Sequence, residues 1–386
     1  FLEAGHNVSC IAWLPENIEY PYFDVMSKFV NNWHGMLLLP ETTELAGKSK
    51  DSVIKTIDTA IMAKNPDLIV SGNLHGVGWG AKAWPLEAIL NLHERGIPVI
   101  VYAHDCYWAT GACAYTGTCE NYKEGCNGKI CKKSENEYPA CPKEEIETNW
   151  KFRRAAFTSF RPIPIATNSS WTTNFFIEGF KQKGIIKTVH LGLNIDKFKP
   201  TNKQEARAAL GVPEEGFFIA IGAVNIEEER KGGRDIKLLL HHYRKDNNIK
   251  WLAFGDNSFK ANVHGFGRIR EDKVNLIFNA ADVYINLAKE EAFGQTVLEA
   301  SSCSCPIISY SSGGIPDIAR NNQNALCAEA GDLKQVIDHI RALKYNSELR
   351  KKLGSKGREI AINEFSLQVQ YENWIKYLMF KRNQKA

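Results

Sequence analysis

Glu291 and Glu299 bracket the sequence Ala-Phe-Gly-Gln-Thr-Val-Leu, and the pair sits where a strand hands the chain to a helix. Val283 to Leu287 is a short apolar run of β-favouring residues. Glu290 and Glu291 leave it, Phe293-Gly294 turns the chain, and helical spacing starts near Gln295. A helix entered through a glycine leaves the amides of Gln295, Thr296 and Val297 without intrahelical partners. With the helix dipole behind them, these amides form an anion site suited to phosphate. A carboxylate on either side repels a bare phosphate but binds hydroxyls. The expected ligand therefore has phosphates in its middle and polyols at both ends, which is the layout of a nucleotide sugar. For the glutamate pair alone, two solvated charges around a helix start are the plain alternative.

The stretch Glu291-Ala-Phe-Gly-Gln-Thr-Val-Leu-Glu299, the preceding AADVYIN and the turn Gly313-Gly314-Ile315-Pro316 resemble a known pattern. It is the E-x7-E signature and glycine turn of retaining glycosyltransferases of family 4. The resemblance implies an α/β chain with the GT-B fold, two Rossmann-like domains whose parallel sheets face each other across a cleft. It also implies transfer of a sugar from a UDP- or GDP-linked donor to a hydroxyl of a glycan or glycolipid. The anomeric configuration would be kept, and no catalytic metal would be required. Phe293 and Gly294 would join the three amides in holding the donor, with Glu299 on the ribose and Glu291 nearer the sugar. In the family, the first strand of the second domain ends in Gly-Arg, with a Lys-Gly several residues later, and both cations clamp the diphosphate. Here Gly222-Ala223 lacks the arginine, Lys231-Gly232 keeps the lysine, and Arg230 stands beside it as the substitute. NVHGFGRIR, from Asn262 to Arg270, is similar to the strand and loop that hold the base, which adds Gly267 and Arg268 to the donor set.

The elements that must position these residues alternate between strand and helix. Strands are expected over 7–13, 35–39, 68–71, 98–102, 163–167, 188–191, 217–222 and 249–254. Helices are expected over 49–64, 81–95, 144–159, 170–179, 234–243, 272–280 and 332–343, with a last one running to about 381. This order predicts parallel sheets with ligands beyond the strands' carboxyl ends. His75 and His104 follow two such ends. His104-Asp105 resembles the family's strand-end histidine, which faces the donor sugar and the acceptor, so His104 joins Glu291 and Lys231 as an expected catalytic residue. The text HDCYWATGACAY is similar to a polysaccharide-building subgroup, with Ala112 where that subgroup often has a second histidine. The 144–159 helix, with Lys151, Arg153, Arg154 and Phe157, reads as a solvated amphipathic face.

Of ten cysteines, Cys106, Cys113, Cys119, Cys126, Cys131 and Cys141 fall in one segment. No C-x2-C pair is present, yet four of these thiolates could close a tetrahedral structural zinc site. Thiols packed in a loop are the alternative. Cys303, Cys305 and Cys327 read as small core residues.

At 386 residues the chain suits two domains. The divisions expected are 1–198, carrying the cysteine-rich insertion 106–141; 199–365, binding the donor; and a last helix over 366–386 that the resemblance sends back to the first domain. The chain opens in what reads as the tail of a helix (FLEAGHNV), so a strand and a glycine loop are expected before Phe1. A net charge of +4 does not call for nucleic acid, but it suits anionic nucleotide donors or an anionic membrane surface. The expected place is cytoplasmic, with peripheral contact at a membrane left open. Two other readings also stay open: a GT-B epimerase or phosphorylase, and an inactive homologue that serves as a binding partner.

Overall fold

The computed structural model describes residues 4–6, 8, 10–13, 36–39, 49–72, 75, 86–135, 137, 139–256 and 263–383. Asn7, Gly35, Asn262 and residues 81–85, on which four expected elements begin, lie outside the described residues. The chain forms two compact units, Phe1–Thr188 and Val189–Ala386.

In the first unit β1 (Cys10–Trp13) pairs in parallel with β2 (Met36–Leu39). A second parallel sheet has the order β3 (Ile69–Ser71), β4 (Val99–Ala103), β5 (Ile165–Thr167) and β6 (Ile186–Thr188). Helices α1 (Lys50–Met62), α2 (Leu86–Glu94), α3 (Ile146–Thr158) and α4 (Ser170–Phe180) connect these strands. Each begins where its sequence allows: Ser49 caps α1 by accepting from the Ser52 amide, and Ser169 with Thr172 closes a capping box on α4. β4 is buried at every residue, as a parallel strand covered on both faces must be.

The second unit holds a six-stranded parallel sheet. Its strands are β7 (Phe217–Asn225), β8 (Ile249–Asp256), β9 (Val263–Gly265), β10 (Val283–Asn286), β11 (Ile307–Tyr310) and β12 (Ala325–Ala328). Across the sheet they run β12-β11-β10-β7-β8-β9. From β7 the chain winds one way to β9, and from β10 it winds the other way to β12. The order thus reverses between β7 and β10, and ligands of open α/β sheets bind at the carboxyl ends beside such a reversal. The loops after β7 and β10 carry Lys231 and Glu291.

At the opposite ends of these strands, α5 (Lys203–Leu210) supplies Arg207, whose side chain is buried. It bonds Asp282 Oδ2 at 2.9 Å, and the same oxygen accepts the Phe218 amide at 2.9 Å. The guanidinium lies 4.2 Å from the centre of the Phe218 ring. This buried pair locks the starts of β7 and β10 together, which holds their carboxyl ends in register. A buried charge is tolerable only when paired in this way.

Two expectations are corrected. The strand expected over 188–191 is instead β6, Ile186–Thr188. After Thr188 the chain leaves the sheet, because Leu193 bridges to Ser366 and Arg358 Nη1 bonds the carbonyls of Ile195 and Phe198. These contacts tie residues 193–198 to the second unit. The solvated reading of 144–159 holds for Lys151, which is exposed, and fails for Arg153. Phe157 and Arg153 are buried, and Arg153 stacks 3.7 Å from the centre of the Tyr107 ring while donating to Tyr107 O and Thr110 O. The arginine is satisfied by carbonyls, so an apparently polar face packs inward.

Cys303, Cys305 and Cys327 are buried in the second unit's core. In the last helix, α12 (Leu367–Asn383), Trp374 and Tyr377 are buried and meet edge to face at 5.9 Å. Among the described residues no helix is long and apolar enough to cross a membrane.

Candidate functional site

β7 ends at Asn225, and a short turn, Glu229–Lys231, returns the chain to the sheet. Gly232 follows at φ 80°, and a Cβ there would stand 2.2 Å from Leu287 O. Only glycine permits that approach, which presses the Lys231 turn onto the end of β10. The contact is reinforced by Lys289 N donating to Arg230 O at 2.8 Å and by Arg230 Nη1 donating to Glu290 O at 3.1 Å. Lys231 Nζ then forms an ion pair with Glu291 Oε2, the two side chains being 20% and 13% exposed. Sixty residues of sequence separation are thus closed into one charged contact.

The glycine turn secures Glu291 from the other side. Gly313 has φ 55°, and a Cβ on it would stand 2.0 Å from Glu291 O. Gly314 N donates to that same carbonyl at 2.7 Å. Any side chain at 313 would push the Glu291 backbone off the turn, which accounts for the glycine there.

Helix α8 (Gln295–Ser302) starts from Gly294 at φ 99°. One expected feature is corrected here: the Val297 amide is not open to a ligand, because it donates to Gly294 O at 2.9 Å. The first turn tightens in this way when no side chain caps it. Gln295 is exposed and Glu299 is half-buried, so these two side chains remain on the open face. Phe293 is buried with Phe365 and His190 around it, so its ring belongs to the core while its backbone carries the turn. Gly267 and Arg268 are exposed in the loop after β9, and Gly267 O accepts the Gly255 amide at 2.7 Å, which ties that loop to β8.

Two residues of this site were not singled out in the sequence. Tyr284, in the middle of β10, is fully buried, and its hydroxyl bonds Gly222 O at 3.1 Å and Thr296 Oγ1 at 2.8 Å. One phenol therefore joins the strand where the family's arginine would begin to the first turn of α8. Burial holds the phenol protonated well beyond its ordinary range. A tyrosine in an apolar run reads as core, and the only hint was a hydroxyl that had to find a partner. His190 is the second: its Nε2 lies 3.0 Å from Asp317 Oδ2, linking the segment after β6 to the glycine turn. Tyr284→Phe should keep the fold but lose about 1–2 kcal/mol of stability through the two partners left behind. Urea unfolding of the pair of proteins measures that difference.

In the first unit, His104 follows β4. Its Nε2 is buried without a hydrogen-bond partner, and its ring meets Tyr102 edge-on at 4.5 Å. Burial lowers its pKa, nearby Asp105 raises it less, and His75 lowers it further. Asp105 faces elsewhere: it accepts from the Tyr107 amide at 2.9 Å and lies 2.7 Å from Nε2 of buried His75. His75 is thus committed to Asp105, while His104 is not.

The six cysteines separate. Cys106 is packed in the apolar core with Trp108 and Phe157. Cys141 sits with Asn149, whose Nδ2 lies 3.5 Å from its sulfur. Cys113, Cys119, Cys126 and Cys131 line one small cavity. Burial, then the neighbouring Cys131, pushes the Cys113 thiol up to about 12, and burial first pushes Cys126 to about 11.

Comparison with known proteins agrees with this geometry. Residues 236–360, which include β10, the Glu291 loop and α8, match the family described as Glycosyl transferases group 1. A sulfoquinovosyl transferase of Arabidopsis thaliana is 26% identical over 183 residues, covering 44% of this chain and 35% of that protein. An uncharacterized glycosyltransferase of Methanocaldococcus jannaschii is 27% identical over 222 residues, covering 57% of this chain and 59% of that protein. The matched regions thus span less than two thirds of these relatives. Among solved structures, a sucrose-phosphate synthase of Thermosynechococcus elongatus superposes with a TM-score of 0.69 at 16% identity, covering 99% of this chain and 90% of that one. HepE of Anabaena, in complex with UDP and glucose, gives 0.67 at 14% identity, covering 97% and 100%. The fold is that of the GT-B glycosyltransferases, and residues 236–360 are similar in sequence to their group 1.

Proposed function

We propose that this chain moves a sugar from a nucleotide-diphosphate donor to a hydroxyl of a glycan or glycolipid, as a retaining glycosyltransferase of family 4. The observation that carries this reading is the Lys231–Glu291 ion pair. It lies beside the start of α8, at the point where the strand order reverses. A diphosphate is already a good leaving group, so the task left to the protein is to stabilise the charge that builds on it. Lys231 and Arg230, with the first amides of α8, supply fixed positive character for that purpose. Glu291, held by the glycine turn, meets the sugar hydroxyls, and Glu299 meets the ribose. His104 donates a hydrogen bond to the reacting sugar or to its leaving phosphate. HepE is described as bound to UDP and to UDP-glucose, which supports a UDP-linked donor for the shared fold.

The test is incubation with a panel of UDP- and GDP-sugars and glycan or glycolipid acceptors, assaying for free nucleotide and for the anomeric configuration of the product. Release of nucleotide diphosphate from one donor, with retention, is the expected result. Epimerised donor without release would overturn the transferase reading, as would no turnover of any donor.

Within this reading, Glu299→Ala should weaken nucleoside diphosphate binding by about 1.5–3 kcal/mol, the worth of a hydrogen bond to a charged group. Calorimetry with UDP and GDP measures it. Unchanged affinity would remove Glu299 from the ribose.

A further inference from the structure

We propose that Cys113, Cys119, Cys126 and Cys131 together bind one zinc-class divalent ion that fastens the loop following β4. The structure selects these four from the six clustered cysteines, because they line a common cavity of about 20 Å³ while Cys106 and Cys141 lie elsewhere. A small space among four thiols suits a single ion. Four thiols are the donor set that selects zinc-class metals, in closed tetrahedral sites without catalytic openings.

The loop has a physical need for such a fastening. From Tyr107 to Glu145 the regular structure among the described residues is three short 3-10 turns, Tyr107–Ala109, Asn121–Lys123 and Lys143–Glu145. A segment this long without strands or helices is uncommon in a compact unit unless something ties it down. Local turns already fix the backbones of three of the four. Cys113 N bonds Thr110 Oγ1 at 2.9 Å, Cys119 N bonds Thr116 O at 2.9 Å, and Cys131 N bonds Asn127 O at 3.1 Å. Lys143 Nζ holds Cys131 O at 2.7 Å. Among the described residues no three donors stand at metal-holding geometry, so binding requires the sulfurs to close by rotation between cysteine rotamers.

The test uses the full chain purified without added metal, and it does not depend on the transferase reading. Expected are one zinc per chain by elemental analysis and, after exchange, the visible absorption of a tetrahedral thiolate cobalt centre. Cys119→Ser and Cys126→Ser should lose the metal, and Cys141→Ser should keep it. If the variants do not fold, the cobalt spectrum of the parent decides. Three results would overturn the proposal: no bound metal with all six thiols titratable in the folded protein, disulfides among the four by mass spectrometry, or iron with acid-labile sulfide.

Discussion

Lys231→Ala is expected to turn over its donor about 10²–10³-fold more slowly than the parent, with the second unit still folded. The lysine is on a turn, is partly exposed, and supports no core contact, so its removal leaves the sheet intact. What it removes is the fixed cation beside the Glu291 loop. Because charge on the diphosphate grows as the glycosidic bond breaks, the loss should fall mainly on kcat, with a smaller effect on donor KM. The ion pair makes a second arm informative. In the parent, donor phosphate must take Lys231 over from Glu291, whereas in Glu291→Gln the lysine is already released. Glu291→Gln should therefore bind the bare nucleoside diphosphate at least as well as the parent while losing turnover of the intact sugar donor. If Lys231→Ala changed KM alone, the lysine would be a ground-state clamp. If neither quantity moved, Arg230 would carry the charge.

Much of this site was legible because its chemistry lies in one contiguous stretch. The β10 strand, the turn at Phe293-Gly294 and the start of α8 follow from an apolar run broken by glycine, and the structure places them within a residue or two of expectation. Contacts between distant segments were not legible. Nothing in the local sequence shows that the Tyr284 hydroxyl reaches both Gly222 and Thr296, since alternation in a buried strand reports only that the ring is inside. The Val297 amide was misread for a related reason: helix-start rules count orphan donors, but a tight first turn consumes one. Arg153 shows the same limit. Charge suggested solvent, yet two loop carbonyls and the Tyr107 ring made burial the better solution. Where β6 ends depended on Leu193 bridging to Ser366, which is far away in sequence. The glycines at 313–314 were visible as a turn, and the reason for Gly313 appeared only with the Glu291 carbonyl in place.

His104→Ala should lower turnover by about 10²–10³-fold while leaving nucleoside diphosphate affinity nearly unchanged. The residue follows a strand end of a parallel sheet, where side chains reach ligands, and its Nε2 is buried without a partner. An orphaned ring nitrogen has a cost that a purely structural histidine would avoid, and His75, after the preceding strand and bonded to Asp105, shows the satisfied alternative. The electrostatics add a pH signature. Burial first, and then His75, hold the His104 pKa below its ordinary value of 6.5 against the smaller opposing pull of Asp105. The imidazole is therefore still neutral, and able to donate one N–H and accept at the other nitrogen, at pH values where a free histidine is charged. In the unfolded chain the group takes up its proton near 6.5, so below that pH the unfolded state binds more protons than the folded one. His104 thus works against folding as the pH falls through 6.5 towards the folded-state value, and it has no effect above. His104→Ala should accordingly flatten the acid side of the stability curve while also removing turnover at neutral pH. Denaturant unfolding between about pH 5 and pH 8, set beside donor turnover, tests both. A variant that loses the acid slope but keeps full turnover would make His104 a buried strand-end histidine without a role in transfer. One that loses nucleotide affinity together with turnover would place it in donor binding instead.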